Sequence, residues 1–342
     1  MKKFNAFIAG LAVTFISMVL NPILDYMVVG PELSSTPSHT QARMSETFPA
    51  DVEDYSGFTF IPRGVASEVE NYLGLWFTIC KQCAPRWLTY LLEPNFTLPS
   101  MPNNITIYDA RTKGLSFNDT GFTLYKMPSP STTVDWRDAV DVKKFHAEIE
   151  PAIRDLFPGL KRLEWTTNVV RGGHNFGDQP VAVDGPHLDY SQNDTAREIF
   201  HTQYASLGPE QGILLGKKDT EMERLHTLLG VWKPIHMDTP VCDHPLTVMD
   251  AGTFFPEDEW PVNLHMNFLV FMYHSLTGGI KYNPLQRWYY YSRQQQDEVL
   301  IFTQYTRGRH FANPHSSFSN PHCPSGSMPT RQSIEIRVGV FV

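Results

Sequence analysis

The segment GPHLDY holds a histidine and an aspartate, His187 and Asp189, separated by one residue. On a β-strand this spacing directs both side chains to one face, so an imidazole and a carboxylate can converge on one metal ion. A second copy, His236 and Asp238, follows a proline in a polar stretch typical of a surface loop. His187 instead follows a strand-and-glycine run, so we expect the first copy to bind the metal.

A third ligand is expected near the carboxyl end of the chain, where His310, His315 and His322 compete. His315 is favoured because it directly follows the predicted strand EVLIFTQYT and its turn. Two histidines and one carboxylate fill three positions of an octahedron and leave three open, which is the ligand set of non-haem Fe(II) oxygenases. We therefore predict that His187, Asp189 and His315 are the metal ligands and the catalytic residues.

Arg331 and Ser333 stand two residues apart at the start of the last predicted strand, and so share one face. A guanidinium binds a carboxylate through two parallel hydrogen bonds, and a neighbouring hydroxyl adds a further donor. This pair is the predicted clamp for the distal carboxylate of 2-oxoglutarate, whose keto acid end would chelate the iron. Arg337 lies on the same face of a regular strand and is the alternative clamp.

The elements that must position these residues are mainly β-strands. Alternation and β-branched density predict strands over EWTTNVVRGG, LLGVWKPI, QRWYYYSR, EVLIFTQYT and IEIRVGVFV. NITIYDAR and GFTLYKM are expected to pair with each other around the turn-prone KGLSFNDTG. Helical spacing predicts helices over residues 67–92, 194–229 and 140–157, the last with a break at Pro151.

The predicted fold class is α+β, mainly β with helical support, with a double-stranded β-helix (jelly roll) at its core. A jelly roll hides its sheet edges and leaves a mouth between its two sheets for a metal and a substrate. Residues 55–342 are expected to form this single catalytic domain. Residues 31–54 are polar and rich in Pro, Ser and Thr, which predicts a flexible linker.

The amino terminus predicts membrane targeting. Lys2 and Lys3 precede an uncharged stretch from Phe4 to Leu24, and no small-residue cleavage site follows it. Residues 1–30 are therefore the predicted anchor, a single transmembrane helix. By the positive-inside rule the catalytic domain would lie in the lumen of the endoplasmic reticulum.

Asparagines in glycosylation sequons are compatible with a lumenal glycoprotein; they are Asn95, Asn104, Asn118 and Asn193. Four cysteines are too few in a chain of 342 residues to predict a disulfide framework. Cys80 and Cys83 form a C-x-x-C without a second half-site for zinc, and we interpret them as two thiols on a helical face.

The composition excludes some partners and leaves others. With 42% hydrophobic and 13% aromatic residues the chain can bury a sizeable core. A net charge of -8 without a long basic block removes the main driving force for binding nucleic acid. The expected partners are a small-molecule substrate, dioxygen and, through the N-terminal segment, a membrane.

A resemblance to a known family supports the predicted metal site and clamp. The motifs GVWKPI, PVCDHP, QRWYYYSRQQQDEVLIFTQYT, NPHSSFSNP and PTRQSIEIRVGVFV occur in this order between residue 104 and the carboxyl terminus. Their order resembles the fungal hydroxylase/desaturase family that includes aspergillic acid hydroxylase and gibberellin desaturase and is related to a cephamycin methoxylation subunit. The family's H-x-D matches His187 and Asp189, its P-H-[ST]-[AS]-F histidine matches His315, and its R-x-S-I-E-x-R matches Arg331 to Arg337. Where the family usually shows N-V-W-R-P, this chain has Gly230 and Lys233.

The resemblance implies an Fe(II)- and 2-oxoglutarate-dependent dioxygenase-type oxidoreductase that hydroxylates or desaturates a small apolar metabolite in a fungal biosynthetic pathway. The alternatives are a non-catalytic binding or accessory protein on the same jelly-roll fold, or a hydrolase in which zinc activates water. The zinc hydrolase would need no clamp for a keto acid. Trp232, Trp288 and Tyr290 either line the substrate pocket or are buried in the jelly-roll core. For rings of this kind, burial in the core is the more common of the two.

Overall fold

A computed structural model describes residues 51–60, 63, 71–73, 101–127, 134–136, 138–172, 185–192, 225–267, 272–323 and 331–342. The predicted anchor over residues 1–30, the C-x-x-C motif, Asn95 and Asn193 lie outside these residues. Within them, no helix combines the length and the apolar character that crossing a membrane requires.

The described residues form sixteen strands and two α-helices. The strands are β1 (Val52–Tyr55), β2 (Thr59–Phe60), β3 (Asn71–Leu73), β4 (Met101–Pro102), β5 (Ile105–Asp109), β6 (Phe122–Lys126), β7 (Arg162–Arg171), β8 (His187–Leu188), β9 (Leu225–Pro234), β10 (Leu246–Met249), β11 (Glu259–Asn267), β12 (Met272–Ile280), β13 (Trp288–Tyr290), β14 (Glu298–Thr306), β15 (His315–Ser317) and β16 (Ser333–Phe341). The helices are α1 (Phe117–Thr120) and α2 (Ala139–Leu156).

Two large sheets organise these strands. One sheet has the order β1-β5-β13-β10-β15-β8-β12-β11-β3, and the other has the order β6-β14-β9-β16-β7. Each contains four adjacent antiparallel strands, β13-β10-β15-β8 in the first and β14-β9-β16-β7 in the second. Along the chain these eight strands alternate between the sheets, except that β13 follows β10 in the same sheet. A chain that crosses in this way winds a double-stranded β-helix, so the predicted jelly roll is confirmed.

Helix α2 covers the outer face of the five-stranded sheet. Its residues Phe145 and Ile149 are buried against Val231 of β9 and Ile336 of β16. Asp138 caps the helix by accepting hydrogen bonds from the backbone N–H groups of the first turn. The apolar face of α2 therefore packs on the five-stranded sheet, on the side opposite to the nine-stranded sheet.

The other face of this sheet packs against the nine-stranded sheet. Trp232 of β9 and Phe302 of β14 share one buried cluster with Val248 of β10 and Tyr289 of β13. The space between the two sheets is thus lined by large apolar side chains.

Strand β16 shows how the sequence divides these two faces. Ile334, Ile336 and Val338 alternate along the strand and are buried in the cluster that contains α2. Because successive side chains of a strand point to opposite faces, Glu335 and Arg337 point into the space between the sheets. The last strand therefore places charged side chains inside the jelly roll.

Two predictions about local structure are wrong. β5 pairs with β1 and β13 in the nine-stranded sheet, whereas β6 pairs with β14 in the five-stranded sheet, so the two strands form no hairpin. Helix α1 and the left-handed Gly121, with φ of 80°, carry the chain from one sheet to the other.

Helix α2 continues through Pro151, where a break was predicted. This proline lies on the exposed face, and the burial of Ile149 and Ile153 on the opposite face holds the helix together.

Three segment assignments also need correction. β1 begins within the predicted linker of residues 31–54, and its Val52 is buried and paired with Ile107 of β5. β3 lies within the predicted helix over residues 67–92 and pairs in parallel with β11. β9 begins inside the predicted helix over residues 194–229. In each case a neighbouring strand supplies hydrogen bonds, and local propensity carries no information about that partner.

A disulfide joins Cys242, between β9 and β10, to Cys323, after β15. The two cysteines are separated by 81 residues, and such a spacing carries no sequence signal.

Candidate metal centre

Strands β8 and β15 bring two histidines together. His187 and His315 are direct cross-strand partners, and their ring centroids lie 4.5 Å apart. Asp189 follows β8 by one residue. The potential ligand atoms of these three side chains all lie within 4.8 Å of one another. The structure therefore brings together all three predicted metal-site residues, although His187 and His315 stand 128 positions apart in the chain (315 - 187).

The hydrogen bonds of the histidines orient their ring nitrogens. Nδ1 of His187 contacts the carbonyl of Gly185 at 2.6 Å, and Nδ1 of His315 contacts the carbonyl of Asn313 at 3.2 Å. A carbonyl can only accept, so in both rings Nδ1 carries the proton and Nε2 presents its lone pair. Both Nε2 atoms lie 3.8 Å from a carboxylate oxygen of Asp189. This backbone-fixed tautomer is the one in which histidines bind metals through Nε2.

Burial keeps both imidazoles neutral. It is the main cause that lowers the pKa of His187 to about 4, with the neighbouring His315 as the next cause. The pKa of His315 is lowered by burial as well, against the attraction of Asp189. About a quarter of the His187 side chain, 27%, still reaches solvent, so the site has an open side. Neutral histidines are available as metal ligands at neutral pH.

Asp189 lies between the histidines and an arginine. Burial by itself would raise the pKa of Asp189, but the charge of Arg337, followed by the two histidines, outweighs it and holds the pKa below its ordinary value. Nη2 of Arg337 donates to Oδ2 of Asp189 at 2.7 Å. The Arg337 guanidinium also lies 5.4 Å from the centroid of the Tyr190 ring. Asp189 is therefore ionised and ready to bind a cation.

A second carboxylate, Glu335, lies beside this ion pair. Its Oε1 is 3.7 Å from Nε of Arg337 and accepts a hydrogen bond from Gln304 at 2.6 Å. Burial, and then repulsion by Asp189, raises the pKa of Glu335. The arginine thus separates two buried acids, of which Asp189 faces the histidines.

The predicted clamp residues lie at the start of β16. Arg331 is 3% exposed, and its Nη1 donates to the carbonyl of His244 at 2.6 Å. Its guanidinium carbon lies 5.6 Å from the centroid of the Trp232 ring, which belongs to the cluster between the sheets. Ser333 is buried and opens the strand. Arg337, the alternative clamp, donates a hydrogen bond to Asp189.

The competing candidates lie elsewhere. His236 and Asp238 are exposed in the connection after β9, and His322 is exposed after β15. His310 is partly buried, 3.9 Å from Oε2 of Glu259. The positions of these residues favour His187, Asp189 and His315 over the second H-x-D copy.

Among the three aromatic candidates, only Trp232 lies in the cluster between the sheets. Trp288 and Tyr290 are buried in a separate cluster, where Phe58 lies 5.3 Å from Trp288 and Phe318 lies 5.1 Å from Tyr290. These two rings are core residues of the nine-stranded sheet.

Two supporting residues were not predicted from the sequence. Glu259 accepts hydrogen bonds from the Ser191 hydroxyl and from the Gln192 backbone N–H, directly after Asp189. The Asn313 side chain donates to two backbone carbonyls and accepts from the Thr303 N–H at 2.8 Å, just before His315. Proximity in sequence to a ligand was the signal available for Asn313. Glu259 is far from Asp189 in sequence and offered none.

Gly230 shapes the wall next to His315. A Cβ atom at Gly230 would lie 2.5 Å from Cε1 of Phe302, its partner on β14, and 2.9 Å from Nε2 of Gln304. The absent side chain lets the Phe302 ring cross over β9 and reach His315, with ring centroids 5.0 Å apart. Gly230 is one of the two positions at which this chain departs from the N-V-W-R-P motif of the resembled family.

The donor set fits a divalent transition metal. Two neutral imidazole nitrogens and one ionised carboxylate are the ligand types that iron(II) accepts on one face of an octahedron. Ligands about 2.1 Å from a shared ion stand about 3 Å apart, so the observed 3.8 Å separations would close by roughly 1 Å.

The chain resembles named proteins in both sequence and fold. A protein from Aspergillus novofumigatus, named Fe(II)/2-oxoglutarate-dependent dioxygenase nvfI, is 34% identical over 117 residues. That match spans 33% of this chain and 39% of the relative, well under two thirds of its length. The hydroxylase/desaturase poxK of Penicillium oxalicum is 23% identical over 278 residues, which cover 72% of this chain and 82% of poxK.

A solved structure of the iron and alpha-ketoglutarate-dependent endoperoxidase NvfI superposes with a TM-score of 0.62 at 22% identity. The superposition covers 85% of this chain and 98% of the endoperoxidase, which shows the shared jelly-roll fold. Residues 87–341 match the family described as oxidoreductase/YMDC permease-like domain. With three quarters of its length in this match and a hydroxylase/desaturase among its relatives, the chain belongs to the oxidoreductase/YMDC permease-like family, and its resemblance to fungal hydroxylase/desaturases is confirmed.

Proposed function

We propose that this protein is an Fe(II)- and 2-oxoglutarate-dependent oxygenase that hydroxylates or desaturates a small apolar metabolite of a fungal biosynthetic pathway. The observation that carries the proposal is the convergence of His187, Asp189 and His315 between the two sheets of a jelly roll. The relatives named as Fe(II)/2-oxoglutarate-dependent dioxygenases and as a hydroxylase/desaturase support it.

In this proposal His187 and His315 bind iron through Nε2 and Asp189 binds it through one carboxylate oxygen. The carbonyls of Gly185 and Asn313 keep both rings in the required tautomer. Arg337 holds the other oxygen of Asp189, which favours a single carboxylate oxygen toward the metal.

Arg331 and Ser333 are the proposed site for the distal carboxylate of 2-oxoglutarate. A buried guanidinium forms charge-assisted hydrogen bonds with a carboxylate, and the serine hydroxyl donates another. The pairing of Arg337 with Asp189 makes it the less suitable of the two arginines for this role. Nη1 of Arg331 donates a hydrogen bond to the His244 carbonyl, so the guanidinium is oriented before the acid arrives.

Bound iron and 2-oxoglutarate supply the oxidising power, because decarboxylation of the keto acid to succinate activates dioxygen for attack on a C–H bond. The chain positions the substrate and excludes water. Phe302, Trp232 and Val248 give the space between the sheets an apolar wall, which suits an apolar substrate better than a charged one.

A metal-binding titration tests the proposed ligands. Under nitrogen, calorimetry with Fe(II) or Co(II) should show one site, and Asp189→Ala or His315→Ala should weaken it by more than about 100-fold, since losing a direct ligand exceeds the loss of a supporting contact. His236→Ala and Asp238→Ala alter the exposed second H-x-D copy and are matched controls. A loss of metal binding in the controls, with wild-type affinity in Asp189→Ala, would assign the site to the second copy.

We also propose that the chain is anchored to the endoplasmic reticulum by residues 1–30, with its catalytic domain in the lumen. The uncharged run after Lys2 and Lys3 supports this proposal. The Cys242–Cys323 disulfide is of the kind that forms in oxidising compartments, and Asn104 and Asn118 are exposed sequon asparagines.

Extraction and glycan removal test the location. The full chain should stay with membranes in alkaline carbonate, and a glycosidase that cleaves N-linked glycans should lower its apparent mass. Asn104→Gln should remove part of that shift, because its asparagine is exposed. A carbonate-soluble chain without glycans would contradict the proposed location and leave the metal site untouched.

A further inference from the structure

The connection between β9 and β10 carries the group that holds Arg331. The carbonyl of His244 accepts a hydrogen bond from Nη1 of Arg331 at 2.6 Å. His244 has φ of 49°, in the left-handed region that residues other than glycine rarely adopt. The Asp243 carboxylate accepts from the His244 backbone N–H at 2.9 Å and lies 2.8 Å from its ring Nδ1. The direction of this carbonyl therefore depends on a turn that its neighbours must hold in place.

The disulfide fixes the same turn from outside. Cys242 stands two residues before His244 and is bonded to Cys323, with the two Cα atoms 5.5 Å apart. Asn320 strengthens the junction, because its side-chain amide donates to the Cys242 carbonyl at 3.2 Å. The three-residue stretch from Cys242 to His244 is thus tied to the segment that follows β15.

The disulfide and Arg331 are also connected along the chain. Cys323 precedes Arg331 by eight residues, and both are attached to the stretch Cys242–His244, one by a covalent bond and the other by a hydrogen bond. Breaking the disulfide would release one of these two attachments. Arg331 would then have to be ordered again each time it receives a carboxylate, which lowers affinity without removing any contact.

We propose that the Cys242–Cys323 disulfide is a positioning element of the 2-oxoglutarate clamp, so that its reduction weakens 2-oxoglutarate binding and leaves metal binding intact. This inference rests on the proposed function, because it assumes that Arg331 binds the keto acid. Reduction by a dithiol adds two electrons and two protons to the S–S bond. Two thiols form, and the dithiol leaves as its own disulfide. His187 and His315 lie on β8 and β15, and Asp189 directly follows β8, whereas Cys242 lies between β9 and β10 and Cys323 lies after β15.

The test compares oxidised and reduced protein in a Cys80→Ser/Cys83→Ser background, so that the reductant acts only on the Cys242–Cys323 bond. Alkylation followed by mass spectrometry verifies the number of free thiols. Calorimetry then measures Co(II) binding and, with Co(II) in place, 2-oxoglutarate binding. We expect about fivefold weaker 2-oxoglutarate binding after reduction, comparable with the loss of one hydrogen bond, and unchanged Co(II) binding. Reoxidation should restore the affinity.

A second arm separates positioning from general loosening of the fold. In an Arg331→Ala background, reduction should cause no further loss of 2-oxoglutarate affinity, since the group that the disulfide positions is gone. A Cys242→Ser/Cys323→Ser chain should behave like the reduced protein. Equal affinities in the oxidised and reduced forms, or an equal loss with and without Arg331, would overturn the inference. If Arg331→Ala itself binds 2-oxoglutarate as wild type does, the clamp assignment in the proposed function fails instead.

Discussion

Lys233 of β9 is a buried cation beside the apolar core between the five-stranded sheet and helix α2. Its side chain is 4% exposed, and Nζ lies 5.2 Å from the Trp136 ring centroid and 5.4 Å from that of Phe145. Burial lowers the pKa of Lys233 to about 8 from an ordinary 10.5, against the opposing charges of Glu148 and Asp297. The resembled family usually has arginine here, which cannot lose its proton.

The sign of the resulting pH effect follows from proton binding. Between pH 8 and pH 10.5 the unfolded chain holds the Lys233 proton and the folded chain releases it, so the free energy of unfolding rises with pH across this window. Below pH 8 both states are protonated and the full cost of burying the charge remains. A pKa difference of about 2.5 units corresponds to about 3 kcal/mol. Contacts with the two rings offset part of the burial cost at pH 7, by about 1–2 kcal/mol.

Urea unfolding of wild type and Lys233→Met at pH 7 and pH 10, at one ionic strength, measures this effect. Methionine fills a similar volume and cannot titrate, so wild type should gain about 2–3 kcal/mol more than the variant between the two pH values. Lys161→Met is the matched control, because Lys161 is exposed and its replacement should leave the pH dependence as in wild type. Equal pH dependence in wild type and Lys233→Met would refute a buried, depressed lysine.

Three further predictions concern the cofactor, the site wall and the amino terminus. Arg331→Ala should raise the apparent KM for 2-oxoglutarate, measured by succinate release, by roughly 30-fold or more, and Arg331→Lys should recover part of this loss. Arg307→Ala, at an exposed position, should match wild type in the same assay. Gly230→Ala should lower the free energy of unfolding by about 1–3 kcal/mol in urea, because the Phe302 ring must move, and Phe302→Leu in the same chain should recover part of that loss. A Gly230→Ala chain as stable as wild type would show that the Phe302 ring can adopt another position without cost. A chain that starts at Ser45 keeps β1, so it should be soluble and retain succinate formation, whereas its misfolding would make the preceding segment part of the fold.

The sequence carried much of the site because its chemistry is local. The one-residue spacing of His187 and Asp189 predicted a strand, of which the structure forms His187–Leu188 with Asp189 directly after it, and the NPHSSF motif singled out His315. The bounds of strands β14 and β16 were predicted to within about one residue, because alternating or continuous apolar residues indicate which of their side chains are buried. Where the side chains themselves determine the element, the sequence was sufficient.

The remaining features depend on partners that are distant in sequence. β5 and β6 look like two arms of a hairpin, but each strand finds its partner in a different sheet. The pairing of Arg337 with Asp189 needs the last strand to face the H-x-D segment across the jelly roll. The Cys242–Cys323 disulfide likewise depends on two loops that the fold brings together. Local patterns cannot encode such encounters.

Succinate release from 2-oxoglutarate tests the central claim most directly. Purified full-length protein, supplied with extract of the producing organism as a source of substrate, should form succinate only when Fe(II), 2-oxoglutarate and dioxygen are all present. His315→Ala should abolish this activity, and His322→Ala, at an exposed position near the same strand, should retain it. Succinate formation that survives in His315→Ala, or its absence in a wild-type protein that binds Fe(II), would contradict the account.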